Sequence, residues 1–156
     1  MSFDEEKPKR SIYRNYDLPT PEPLKKFMEE GWAPSPLKNL QKSPASKWAI
    51  VRREKLSKAF PGKRLVIPAG NYKVRSNDTD YRFRPHSAFS WSTGINGLEA
   101  VPDSVLVMEP TSSGHDAILF VHPRSPREKS EEFYRNPKYG EFWVGRRMTL
   151  EETEFA

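Results

Sequence analysis

Apolar residues fall into two regimes along this chain. Before Ser46 they stand singly among Pro, Lys and Glu; after it they gather into stripes and short runs. Pro19, Pro21, Pro23, Pro34, Pro36 and Pro44 each remove a backbone donor and restrict the residue before them, so no long element is expected in the first region. One short helix is predicted from Pro23 to Glu30, with Pro in its first turn and Gly31 past its end. It places Leu24, Phe27 and Met28 on one face, with Trp32 following. That face docks on the domain's own surface or on another subunit, and amphipathic segments more often complete their own fold.

The second region begins with a predicted helix from Ser46 to Phe60, with Ser46 as N-cap and Pro61-Gly62 as terminator. Trp48, Val51, Lys55 and Ala59 lie near one stripe, with Leu56 and Phe60 beside it. Arg64 to Pro68 reads as a central strand, because Leu65-Val66-Ile67 is a continuous apolar run. Tyr72 to Ser76 reads as an edge segment. From Phe89 to Thr93, large residues and serines alternate, which predicts a strand ended by Gly94 and makes Trp91 a core residue. Val105–Met108 and Ala117–Val121 are two further strands, with Glu109 to His115 as the hairpin connection. Pro123 to Gly140 is polar, with a helical turn or two expected within Glu128–Tyr134. Thr149-Leu150-Glu151-Glu152 has the form of a capping box, so a helix starts there. A helix so short is marginal alone, which leads us to expect that the polypeptide continues beyond Ala156.

Composition sharpens this picture. A chain of 156 residues with 35% hydrophobic and 30% charged residues suits one domain plus an arm. The expected division is a Pro-rich arm over residues 1–45 and a domain over residues 46–156. There is no cysteine, so disulfides and thiolate metal sites are excluded. No apolar run is long enough for a membrane helix and no signal core opens the chain, so a cytoplasmic protein is expected. The formal net charge is +5, but the positives are interspersed with acids and no nucleic-acid motif is present. A solvated mixed-charge surface is the simpler reading, and no nucleic-acid partner is expected.

Candidate chemistry concentrates in Asp78–Gly94, where acids, arginines and aromatics crowd together. Asp78 and Asp80 share one side of an extended chain. They could act as an acid/base pair or bind a cation, but pairing with Arg75, Arg82 or Arg84, or capping the turn before Pro85, is the plainer role. The histidines are His86, His115 and His122; the last two sit at opposite ends of a predicted strand, too far apart to share a metal. No nucleophile arrangement or phosphate loop is present. No catalytic residue and no metal ligand is assigned to this chain.

The run D-x-D-Y-x-F-R-x-x-S-x-F-x-x-x-T-G from Asp78 to Gly94 is followed by Glu99 and an apolar strand. Together with Phe142-Trp143-Val144-Gly145-Arg146-Arg147, it resembles the N-terminal domain of aminopeptidase P, of the creatinase/prolidase (pita-bread) metallopeptidases. The similarity spans roughly Ala49 to Glu152, and Pro123–Gly140 looks like an insertion. The resemblance implies an α/β fold: three layers, α/β/α, with a mixed sheet of about five strands and a ribonuclease-H-like motif. It implies a parent enzyme that removes the residue preceding proline from a peptide N-terminus. Its chemistry resides in a C-terminal catalytic domain, where two Asp, a His and two Glu hold a pair of metal ions, usually manganese. None of those ligands is in this sequence, so this chain alone is expected to be inactive. The resemblance further implies that Asp78, Tyr81 and Arg84 face the cleft or the domain junction. Trp143 would either reach a neighbouring subunit's pocket for the proline side of the substrate or pack as a core residue on an edge strand. Arg146 and Arg147 could bind the following helix region or acids across an interface, which makes them interface candidates, and a solvated pair is the plainer reading. The partners implied are the chain's own catalytic domain, a peptide with proline second, and further copies in a homo-oligomer. A free-standing interaction or dimerisation module of the same fold is the alternative.

Overall fold

A computed structural model of the protein describes residues 20–77, 79–128 and 130–155. In chain order its helices are α1 (Glu22–Glu29), α2 (Ser46–Ala59), α3 (Ser87–Thr93), α4 (Glu132–Arg135), α5 (Glu141–Val144) and α6 (Leu150–Phe155). Its strands are β1 (Leu65–Pro68), β2 (Val74–Ser76), β3 (Thr79–Asp80), β4 (Val105–Thr111) and β5 (Gly114–Phe120).

Sheet order is β1-β4-β5, antiparallel throughout, while β2 and β3 form a separate antiparallel pair. Four of the expected strands are therefore present, Phe89–Thr93 is not one of them, and Thr79–Asp80 pairs where a loop was expected; the strands split three and two, and among the described residues no parallel pair makes the sheet mixed. The hairpin is tighter than the sequence suggested. Thr111 pairs with Gly114, so most of the supposed linker from Glu109 to His115 is strand.

Register decides which residues build the core. Ile67, Leu106 and Leu119 form one cross-strand row, and Leu65, Met108 and Ala117 another. Leu106 and Met108 join Ala69, Phe83, Phe89 and Ala100 in the buried cluster, with Leu56, Leu65, Ile67 and Leu119 packed against it. Burial of each large side chain contributes about 1.5–3 kcal/mol. The alternate row of Val66, Val107 and Ile118 faces away, and Val66 is 60% exposed.

Residues Phe89 to Thr93 are helix, not strand. Phe89 and Ser92 are the buried positions, at helical spacing, while Trp91 is 41% exposed. The serine and threonine hydroxyls bond back along the turn, Ser92 to Ala88 O at 2.6 Å and Thr93 to Phe89 O at 2.7 Å. His86 Nδ1 accepts from Ala88 N at 3.2 Å as N-cap. At the other end, Gly94 takes the left-handed φ of 81° that a C-terminal turn requires. The alternation misled because Ser92 and Thr93 satisfy their hydroxyls within the helix.

A second correction concerns α2. Trp48 and Val51, on its expected core stripe, are exposed, whereas Ala49 is buried and Leu56 packs on the core. What fixes the rotation is polar. Arg52 and Arg53 donate to Trp91 O at 3.2 Å and Ser92 O at 2.8 Å, closing the C-terminus of α3 with cations. Arg52 also lies 5.6 Å from the Trp91 ring centre. Leu24 and Phe27 on α1 are likewise exposed, and among the described residues only Trp32 of that group finds an aromatic partner, Phe133, at 4.7 Å.

Candidate functional site

The F-W-V-G-R-R segment forms a corner built from two single-turn helices. α4 and α5 meet at Gly140, where an added Cβ would come within 3 Å of the carbonyl oxygens of Glu132, Phe133 and Asn136. Only hydrogen fits there, which brings the two turns into backbone contact. Gly140 N donates to Asn136 O at 2.8 Å and Val144 N to Gly140 O at 3.1 Å.

Glu141 anchors the corner from below. Its side chain is 5% exposed and receives Arg124 Nε at 2.7 Å, with Arg127 on its other oxygen. Burial opposes its ionisation, and the hydrogen bonds from Arg124 and Arg127 outweigh that, holding the carboxyl below its usual range. The same arginines reach outward: Arg124 Nη2 donates to Ser35 Oγ at 2.7 Å and Arg127 to Ala33 O. The segment around Ser35 is thereby tied to the corner.

Trp143 sits on top. It belongs to α5 rather than to an edge strand, and is 59% exposed. Its orientation is set by Nε1 donating to Tyr134 O at 2.6 Å and by Phe142, whose ring lies edge-on at 5.8 Å. Phe142 in turn meets Phe133 at 6.4 Å, so an aromatic ridge runs from Trp32 to Trp143. A large exposed indole with a satisfied N–H and a fixed plane can take a flat apolar group.

Gly145, at φ 80°, turns the chain after α5. Arg146 Nη2 then donates to both carboxylate oxygens of Glu152, at 2.6 and 2.8 Å, and its Nε donates to Ser35 O. Glu152 and Thr149 form the capping box read from the sequence, with Thr149 N to Glu152 Oε2 at 2.8 Å and Glu152 N to Thr149 Oγ1 at 3.2 Å. Its hydrogen bond with Arg146 above all, with the backbone amides helping, takes the Glu152 pKa down to about 2. Arg147 runs to the core side, where Nη1 donates to Ala100 O at 3.0 Å and Nε is buried without a hydrogen-bond partner among the described residues. Burial lowers the Arg147 pKa, with Tyr72 acting the other way, yet a guanidinium stays charged. These bonds of both arginines are made within this chain.

The other sequence candidates lie apart from this corner. Tyr81 and Arg84 are exposed on the extended segment leading to α3, where Phe83 and Pro85 point inward. Tyr81 N donates to Lys73 O at 2.9 Å. Asp78 lies outside the described residues, and Asp80 makes no ion pair among them. No contact joins Tyr81 or Arg84 to Trp143 among the described residues.

Several polar anchors had no signal in the sequence. Lys138 is buried and pairs with Asp103, which also accepts from Tyr139 Oη at 3.0 Å. Burial works against ionisation of Asp103, but Lys138 and Tyr139 overcome it and hold its pKa low. Tyr139 stacks on His122 at 4.0 Å, and His122 Nε2 meets Glu132 Oε1 at 2.7 Å. His115 is engaged by Ser57 at 2.8 Å and Lys63 O at 2.7 Å. Among the described residues no group of three His, Asp or Glu could hold a metal ion, and no helix is long and apolar enough to cross a membrane.

Known proteins are similar to this chain. A family model described as the aminopeptidase P N-terminal domain matches residues 49–155. Xaa-Pro aminopeptidase 1 of Streptomyces coelicolor is 47% identical over 129 residues, covering 83% of this chain and 25% of that protein. Xaa-Pro aminopeptidase 2 of the same organism is 41% identical over 132 residues, covering 84% and 27%. A solved Bacillus anthracis structure described as an aminopeptidase P aligns with a TM-score of 0.55 at 25% identity, over 70% of this chain and 23% of that one. The chain spans about a quarter of the length of the two Streptomyces relatives. It is an α/β domain with antiparallel sheets and an aromatic corner. It belongs to the aminopeptidase P N-terminal domain family.

Proposed function

We propose that this chain is the non-catalytic N-terminal domain of a Xaa-Pro aminopeptidase. In this reading a catalytic domain elsewhere in the same polypeptide holds the pair of metal ions, manganese in the family, and this domain shapes one side of its cleft. The residues described here do not fit such a metal centre, so no step of the reaction is assigned to them. The domain would also make subunit contacts in a homo-oligomer. The parent would act on peptides with proline second, in the cytoplasm.

The observation that carries this reading is the exposed Trp143 inside F-W-V-G-R-R, held in one orientation by Tyr134 O. A fixed indole presents a flat apolar face to a proline ring at little cost in rotamer entropy. Tyr81 and Arg84, with Asp78, would face the cleft or the domain junction. The outward sheet row of Val66, Val107 and Ile118 supports a second helical layer in the longer protein, which would complete the three-layer arrangement and the ribonuclease-H-like motif. Residues 1–45 would be an arm, fastened near Ser35 by Arg124 and Arg146.

The test is kinetic. The longer protein containing this chain, supplied with manganese, should cleave an alanyl-prolyl peptide, and the 156-residue chain should not. Trp143→Ala in the longer protein should raise KM about tenfold with metal content unchanged. Unaltered kinetics in that variant would remove the reading's main support.

A further inference from the structure

A cavity of about 330 Å³ lies between α2, α3, the β4–β5 hairpin and α6. Ile50, Ile95, Leu106, Leu119, Met148 and Phe155 give it apolar walls. One charged group reaches it from a half-buried position, Arg53. A single bond of Arg53 is accounted for, Nη1 to Ser92 O at 2.8 Å. Its Nε and Nη2 hydrogens meet no acceptor among the described residues, and no carboxylate pairs with it there. Burial lowers its pKa, as for any cation taken from water without a counter-charge. Glu99 and Glu154 also line the cavity but are exposed, and Lys42 stands at the mouth, 5.9 Å from the Phe155 ring centre.

We propose that this cavity binds a small monocarboxylate with a branched apolar tail. The carboxylate accepts from Nε and Nη2 of Arg53, which present the planar fork suited to it. The tail lies against Leu106, Leu119 and Met148. The volume falls in the range of ordinary small-molecule sites, and mostly apolar walls around one oriented polar group are the usual composition of such sites. Next to Arg53 a carboxylate is favoured over an amine, the exposed Glu99 and Glu154 being screened by solvent, and a neutral alcohol makes weaker hydrogen bonds to the guanidinium. The inference stands independently of the peptidase reading, since it uses none of the residues at the aromatic corner.

The experiment is a titration of the 156-residue chain, followed by backbone amide chemical shifts, with 4-methylpentanoate, 4-methylpentan-1-ol and 4-methylpentylamine in turn. Saturable shifts at Ile95 and Leu119 are expected with the carboxylate, and binding about tenfold weaker or worse for the alcohol and the amine. Arg53→Gln should weaken carboxylate binding about tenfold and Arg53→Lys should restore part of it. Because Arg53 also ties α2 to α3, Ala117→Phe provides a second variant that fills the cavity from β5 and should abolish binding. Thermal melting checks that each variant is folded. Absence of saturable shifts, equal affinity for the alcohol, or full binding by folded Arg53→Gln or Ala117→Phe would each overturn the proposal.

Discussion

Arg124 holds Glu141 with two donors, Nε 2.7 Å from one carboxylate oxygen and Nη2 3.1 Å from the other. The pair is largely withdrawn from water, and Arg127 adds a second cation to the same carboxylate. Removing the acid alone would leave two guanidinium groups facing each other in a poorly solvated place. Glu141→Ala should therefore cost about 3 kcal/mol in urea unfolding. It should also loosen the segment at Ser35, read as faster amide exchange there. A loss within the range of ordinary surface substitutions would mean that the corner is held by its aromatics instead.

Gly140 tests the steric side of the same corner. Its φ is −64°, so alanine meets no backbone penalty, and the obstacle is the three carbonyl oxygens around the missing Cβ. Gly140→Ala should destabilise by about 1–3 kcal/mol, as overpacking does. The Trp143 emission should shift with it, because the turn that orients the indole must move. An unshifted spectrum with unchanged stability would show that α4 and α5 can part without consequence.

α3 gives a paired prediction. Phe89→Ala should cost about 3–5 kcal/mol, the figure for a large core side chain. Trp91→Ala, which removes a half-exposed ring stacked by Arg52, should cost about 1 kcal/mol. On a strand with alternating faces the two losses would be alike. Comparable losses in chemical denaturation would therefore contradict the helix.

Glu152 makes stability depend on pH. Its folded pKa of about 2 lies below the ordinary glutamate value near 4.3. Its contribution is fully present above the unfolded value and is lost as pH falls through the folded one. The window is therefore about pH 4.5 down to about pH 2. Because the pair is partly exposed, the expected contribution is about 1 kcal/mol, weaker in high salt. Asp103 and Glu141 act in the same direction, so the comparison is with Glu152→Gln measured over the same range. Parallel curves for the two proteins would dismiss the Arg146–Glu152 pair as a stabilising contact.

Local signals carried part of the fold. α1 lies within a residue of the helix read from Pro23 and Gly31, and the apolar runs at Leu65 and Val105 are strands as read. The capping box at Thr149 was legible because its two residues are three apart and act on each other's backbone. The Asp78–Gly94 run and F-W-V-G-R-R carried the family, because there the residue identities themselves, not their periodicity, held the information.

What the sequence by itself determined is thus the family, most element positions and the absence of thiol chemistry. The tertiary structure alone decided which way α2 faces, that Phe89–Thr93 winds into a helix, and how Trp143 is held. Each depends on partners far along the chain: Arg53 on Ser92, Glu141 on Arg124, Ser35 on Arg146. A period describes how a segment relates to itself. The direction it finally faces is set by donors and acceptors that only folding brings within reach, and those partnerships leave no mark in local spacing.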